Sequence, residues 1–165
     1  MSTSTDTSSP VTALARLDID TVAPRFSRAL AALDAATTRE LDDAGIDPAL
    51  RELIRLRASQ LNGCAYCIAE HTRDALEAGE GATRLTSLAA WRESSFFTAK
   101  ERTALALTDA ITRSGTADVA VADALWGEAS TRFTPAQLGA LVALITTINA
   151  WNAVGVSTRA WEPVA

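Results

Sequence analysis

The chain has 165 residues, 48% of them apolar and 21% charged, with a formal net charge of −5. That length fits one domain whose core needs no disulfide staple, and the acidic balance argues against a phosphate-binding surface. Arg51, Arg55 and Arg57 share their segment with Glu52, and no aromatic residues interleave with them, so no nucleic-acid partner is expected. No membrane partner is expected either, since no apolar run is read as reaching the roughly 18 residues of a span. The start, MSTSTDTSSP, lacks the charged and then apolar pattern of a secretory signal. A cytoplasmic, reducing location follows. There a close cysteine pair is more often catalytic or metal-binding than structural.

Residues 1–18, rich in Ser, Thr and Asp, read as a flexible tail before one helical domain over 19–165. A first helix is expected over 23–36, and TTRE at 37–40 fits a capping box for a short continuation ended by Gly45. Asp47 then caps a new helix with Pro48 at its first position. Leu50, Ile54, Arg57 and Leu61, flanked by Leu53, form its inner stripe. Asn62 and Gly63 break that pattern at a turn, and a helix follows over 64–78, stopped by Gly79 and Gly81. A short helix is expected over 83–91. Thr98 and Glu101 make a second capping box, opening a helix that runs to 113. Asp118 begins another, to 130. Thr134 and Pro135 open the last, to 154, with Leu138, Leu141, Ile145 and Ile148 inward. Seven or so helices and no strand make an all-α domain.

QLNGCAYCIAEH, residues 60–71, holds both cysteines and the only histidine. The turn at Asn62 and Gly63 leaves Cys64 at a helix start, where partial positive charge and free N–H groups favour thiolate. At about 100° per residue, Cys64 and Cys67 lie about 60° apart and His71 falls between them in angle. Cys67 and His71, at i and i+4, are neighbours, so the imidazole can take the thiol proton. Cys64 sits where it can attack an oxidised Cys67 and close a disulfide. Two alternatives stay open at this point. The cysteines could be buried small hydrophobes, or Cys64, Cys67, His71 and a carboxylate could hold zinc, although no second Cys or His pair completes a familiar spacing.

ELIRLRASQLNGCAYCIAEH, from Glu52 to His71, resembles the core motif of the alkylhydroperoxidase D-like proteins of the carboxymuconolactone decarboxylase superfamily. That motif joins a glutamate twelve residues before the first cysteine to C-x-x-C and a histidine four residues after the second, and Glu52, Cys64, Cys67 and His71 match all four. Residues 89–112 and 148–159 also resemble stretches of these proteins. The resemblance implies a helical homo-oligomer, a trimer or a larger assembly such as a hexamer, with thiol-dependent peroxidase activity on a hydroperoxide. It makes Cys67 the peroxidatic thiol, Cys64 the resolving one, His71 the proton acceptor and Glu52 the support of the relay. Without the resemblance, Glu52 reads as a solvated first-turn glutamate. Some peroxidase members carry histidine just before the second cysteine. This chain has Tyr66 there, a secondary relay candidate that titrates near 10 and carries protons poorly at neutral pH.

No flavin or nicotinamide fingerprint is present. No cofactor or resident metal is expected, and reducing power is expected from an external thiol or dithiol protein. Decarboxylation of a lactone acid, a non-peroxidase disulfide reductase and a redox sensor remain as alternatives. Trp91, Trp126, Trp151 and Trp161 read as core or interface residues. Trp151 and Asn149 are placed at a subunit contact ahead of a substrate cavity, and Asn62 is assigned to the turn before Cys64.

Overall fold

The computed structural model describes residues 15–114 and 121–163. Among the described residues there are eight α-helices, one 3-10 turn and no strand, as the all-α reading expects. They are α1 (Ile19–Val22), α2 (Pro24–Asp43), α3 (Pro48–Asn62), α4 (Ala65–Glu77), α5 (Ala82–Ser87), α6 (Ala99–Arg113), α7 (Asp123–Arg132) and α8 (Pro135–Thr158). The 3-10 turn Leu88–Ala90 lies between α5 and α6. Most of the expected tail, and the helix start expected at Asp118, lie outside the described residues. α1 is a single turn that the sequence reading did not anticipate, capped by the Asp18 carboxylate on the N–H groups of Asp20 and Thr21.

Local chemistry sets most boundaries. Asp47 caps α3 with Pro48 at its first position, and reciprocal boxes Thr98–Glu101 and Thr134–Gln137 open α6 and α8. Gly63, at φ 69°, ends α3 in the left-handed region that glycine adopts without strain. The box expected at 37–40 does not form, and α2 runs through it. The Thr37 hydroxyl bonds that of Thr147 on α8 at 2.8 Å instead. A buried tertiary partner overrides the local cap.

α3 is buried on two sides, not along one stripe. Leu50 and Ile54 join Leu41, Leu107, Leu141, Leu144 and Ile145 in one cluster. Leu53 and Leu56 join Ala75, Leu85, Leu88, Trp91, Phe97 and Leu105 in a second. Arg57 is buried as expected, and Asp109 of α6 explains how. Nε and Nη2 of Arg57 reach the two Asp109 oxygens at 2.6 and 3.1 Å, and Arg92 adds a third donor at 2.5 Å. Burial alone would raise the Asp109 carboxyl, but the two guanidinium groups outweigh it and hold it below the ordinary carboxylate range.

α8 passes among α2, α3, α4, α6 and α7. With 24 residues, none of them charged, and an 18-residue window of mean hydropathy 1.5, it is long and apolar enough to cross a membrane by length and composition. The expectation that no segment reaches that threshold therefore fails for α8. Its apolarity has a packing reason in this fold, since helices meet it on several sides. Leu138, Leu141, Leu144 and Ile145 all enter the first cluster.

Asp109→Ala would leave a buried guanidinium without its carboxylate, at a cost of about 3–5 kcal/mol. In a domain of this size that lowers the thermal midpoint by on the order of 10 °C, readable by circular dichroism. Replacing Arg57 and Asp109 together by leucine should cost much less. Because the folded carboxyl is depressed, its stabilisation is full above the unfolded titration and is lost as pH falls through the folded one.

Candidate active site

The α3–α4 junction builds the site. After Gly63 turns the chain, the Cys64 N–H donates to the Ser59 carbonyl at 3.1 Å, and the Cys64 carbonyl accepts the first bond of α4 from Ile68. Cys64 is thus the N-cap residue and Cys67 lies one turn in. Both are free thiols, buried at 2% and 4% exposure, with their Sγ atoms 2.7 Å apart. The two sulfurs are already near the separation of a disulfide. Of the two, Cys67 lines a cavity of about 520 Å³ together with His71, Tyr66, Trp151 and Trp161. Cys64 lies behind it, against α8, where a Cβ on Gly155 would sit 2.9 Å from its Sγ.

Glu52 turns toward α4, as the resemblance implied, and is buried. Its Oε2 lies 2.9 Å from His71 Nδ1, and its Oε1 takes Arg55 Nη1 at 2.5 Å. Burial pushes the Glu52 carboxyl up, but the bond to His71 and the charge of Arg55 more than offset it, leaving it below the usual range. An ionised carboxylate only accepts, so Nδ1 of His71 carries the proton. In the neutral ring that leaves the Nε2 lone pair as the basic atom. The bond given by the other nitrogen fixes the tautomer, as in other carboxylate–histidine pairs.

The two thiols behave as one acid. The hydrogen bond from the Cys67 thiol draws Cys64 down to about 6, against burial and with help from the Cys67 amide and Asn152. Cys67 is pushed far up by the same bond, by burial and by the Cys64 thiolate. The pair therefore holds one negative charge, mainly on Cys64, and one proton, mainly on Cys67. The Tyr66 phenol is raised by burial and by Glu70, so it stays protonated at neutral pH.

Several contributors escaped the sequence reading. Asn152 is fully buried on α8 and donates to Ser59 Oγ at 3.0 Å, and its amide helps to hold the thiol pair. Asn62 ends α3 immediately before the Gly63 turn, and its side chain has a second role. Its amide reaches Asn149 at 2.6 Å and Asn152 at 3.0 Å, tying the end of α3 to α8. Trp151 lines the cavity, and Trp161 returns to it after Arg159 turns the chain at φ 50°. Trp161 meets Tyr66 at 5.6 Å and Trp151 at 5.7 Å between ring centroids. The polar positions on an apolar α8 were the available signal. Glu52, His71 and Asp74 offer ligand atoms within 4.8 Å of one another and could hold a divalent cation. Neither cysteine belongs to that group, so the metal set considered from sequence does not assemble.

Two variants test this geometry. Asn152→Ala removes a donor from the thiolate and should raise the pair's titration above about 6, read by ultraviolet thiolate absorbance. Gly155→Ala improves helix propensity yet collides with Cys64 Sγ at 2.9 Å. The fold should survive while disulfide closure after oxidation slows, as followed by timed alkylation.

Comparison with known proteins places this geometry. Residues 24–110 match the Carboxymuconolactone decarboxylase family. An uncharacterised protein of Bacillus subtilis (strain 168), YdfG, is 38% identical over 114 residues, covering 69% of this chain and 76% of the relative. A crystal structure of a protein of unknown function from Agrobacterium tumefaciens, named there as a candidate antioxidant defence protein AhpD, superposes with a TM-score of 0.82. It is 27% identical, over 92% of this chain and 100% of the other. The debrominase Bmp8 bound to 2,3,4-tribromopyrrole shares the fold at a TM-score of 0.70 and 17% identity, over 87% and 73% of the two chains. With the four-residue motif assembled on α3 and α4, this chain belongs to the carboxymuconolactone decarboxylase family, as one of its AhpD-like members.

Proposed function

We propose that the protein is a thiol-dependent peroxidase that reduces organic or hydrogen peroxide, with Cys67 as the peroxidatic and Cys64 as the resolving thiol. One observation carries this reading. A cavity-lining thiol and a carboxylate-oriented histidine face the same space, and a second thiol lies 2.7 Å from the first. His71 Nε2 takes the Cys67 proton as the sulfur attacks the distal peroxide oxygen. The O–O bond breaks, Cys67 becomes a sulfenic acid, and the proton passes to the leaving alkoxide to give alcohol. The Cys64 thiolate then attacks the Cys67 sulfur. A disulfide forms, and hydroxide leaves and takes a proton to become water. An external thiol or dithiol protein supplies the two electrons that restore the pair.

Electrostatics explains why the resting thiol needs a base. The neighbouring Cys64 thiolate favours keeping the proton on Cys67, so attack by Cys67 calls for a base, the role assigned to His71. Lactone decarboxylation, which names the family, would need an anion-binding group and neither thiol. Arg55, the one cation lining the cavity among the described residues, is already engaged by Glu52.

Steady-state reduction of cumene hydroperoxide with dithiothreitol tests the assignment. Cys67→Ser should lose all thiol-dependent turnover, and Cys64→Ser should accumulate a sulfenic acid trapped by dimedone. His71→Asn should lower the rate by about 10²–10⁴-fold, the usual worth of a general base. Glu52→Gln should lower it in the same direction. Full turnover by Cys67→Ser, or none by the wild-type chain, contradicts the proposal.

A further inference from the structure

The cavity in front of Cys67 has a charge balance that its catalytic reading does not use. Four carboxylates line it: Asp20 of α1, Asp34 of α2, and Glu70 and Asp74 of α4. One guanidinium faces them, Arg55, and it is paired with Glu52 at 2.5 Å. Arg73 offsets part of this from outside the cavity, bonded to Glu70 at 2.5 Å and lying 3.6 Å from Asp74. In the same lining, where Arg55 is the one guanidinium among the described residues, Asp34 is half-buried. A concave, partly desolvated wall concentrates the field of such a group and opposes the approach of anions.

The opposite chemistry comes from the aromatic wall. Tyr66, Trp161 and Trp151 form a continuous chain, with centroid separations of 5.6 and 5.7 Å, beside the thiol they enclose. Indole faces attract cations, and they do so best when carboxylates stand nearby and water is partly excluded. At about 520 Å³, the space suits one small organic molecule. The aromatic wall and the lining carboxylates favour the same ligand class.

We propose that this cavity selects organic substrates without negative charge and favours those bearing a cationic group, seated against Trp151 and Trp161 in the space that Asp20 and Asp34 also line. The inference rests on reading Cys67 as the reactive thiol and adds its substrate class. Small neutral hydroperoxides enter. Hydroperoxides carrying a carboxylate, such as those of free fatty acids, are disfavoured.

Binding without chemistry tests it. The full reduced chain is titrated with benzyltrimethylammonium, benzyl alcohol or phenylacetate, and quenching of tryptophan fluorescence is followed. A Trp161→Phe chain identifies the cavity signal. The ammonium probe should bind at least about tenfold more tightly than phenylacetate, the equivalent of 1.4 kcal/mol. The preference should shrink as ionic strength rises. Asp20→Asn combined with Asp34→Asn, which leaves the relay untouched, should reduce the ratio to about threefold or less. Equal or tighter binding of phenylacetate, no binding of the ammonium probe, or an unchanged ratio in the double variant overturns the proposal. Because no peroxide is present, these outcomes are independent of turnover. A chain that shows the preference but never reduces a hydroperoxide would refute the peroxidase reading and leave the cavity's selectivity standing.

Discussion

The hydrogen bond between His71 Nδ1 and Glu52 Oε2 is the constraint on which the site depends. It fixes which imidazole nitrogen is basic, and it exists only because α3 and α4 are folded against each other at one register. Gly63 makes that register possible by ending α3 in a left-handed conformation immediately before Cys64. α3 itself is held from two sides, by the cluster around Leu141 and Ile145 and by the cluster around Leu88 and Trp91. The buried Arg57–Asp109 pair adds an electrostatic link to α6. A slip of α3 by one residue would turn Glu52 away from α4, since neighbours on a helix differ by about 100°.

The thiol pair is arranged to store reactivity without exposing it. The charge rests mainly on Cys64, away from the cavity, where Asn152 and the Cys67 thiol stabilise it. The thiol facing the cavity keeps its proton. On the proposed mechanism this order is useful. Cys67 reacts only when His71 accepts its proton, and the thiolate that must resolve the sulfenic acid already stands beside it. Gly155 belongs to the same arrangement, because only a residue without Cβ leaves room for the Cys64 sulfur on that face of α8.

Much of this was legible in the sequence, and the reasons differ by element. Cap residues foretold the starts of α3, α6 and α8, because capping is satisfied within a few residues of the chain. The cap foreseen at 37–40 failed because Thr37 meets Thr147, more than a hundred residues away. Helix spacing put Cys67 and His71 one turn apart, and both line the cavity, while Cys64 is the N-cap residue behind Cys67. The role of Glu52 came from the family motif, since a first-turn glutamate carries no local mark of burial. Asn152, Gly155 and Trp161 were missed for one reason: they act through the packing of α8 and its end on α3 and α4. Trp151 was read as a subunit contact ahead of a cavity residue, and the second of those readings is the one the cavity wall supports. A hydrophobic pattern tells that a face is covered, but not by what.

The central claim is that Cys64 and Cys67 form a redox pair that a hydroperoxide oxidises. The most direct measurement is the intact mass of the reduced, metal-free protein before and after one equivalent of an organic hydroperoxide, under non-reducing conditions. The account predicts a loss of about two mass units, as the sulfenic acid condenses with the neighbouring thiol, together with loss of both alkylation sites. An unchanged mass, with both thiols still open to alkylation after unfolding, would contradict it.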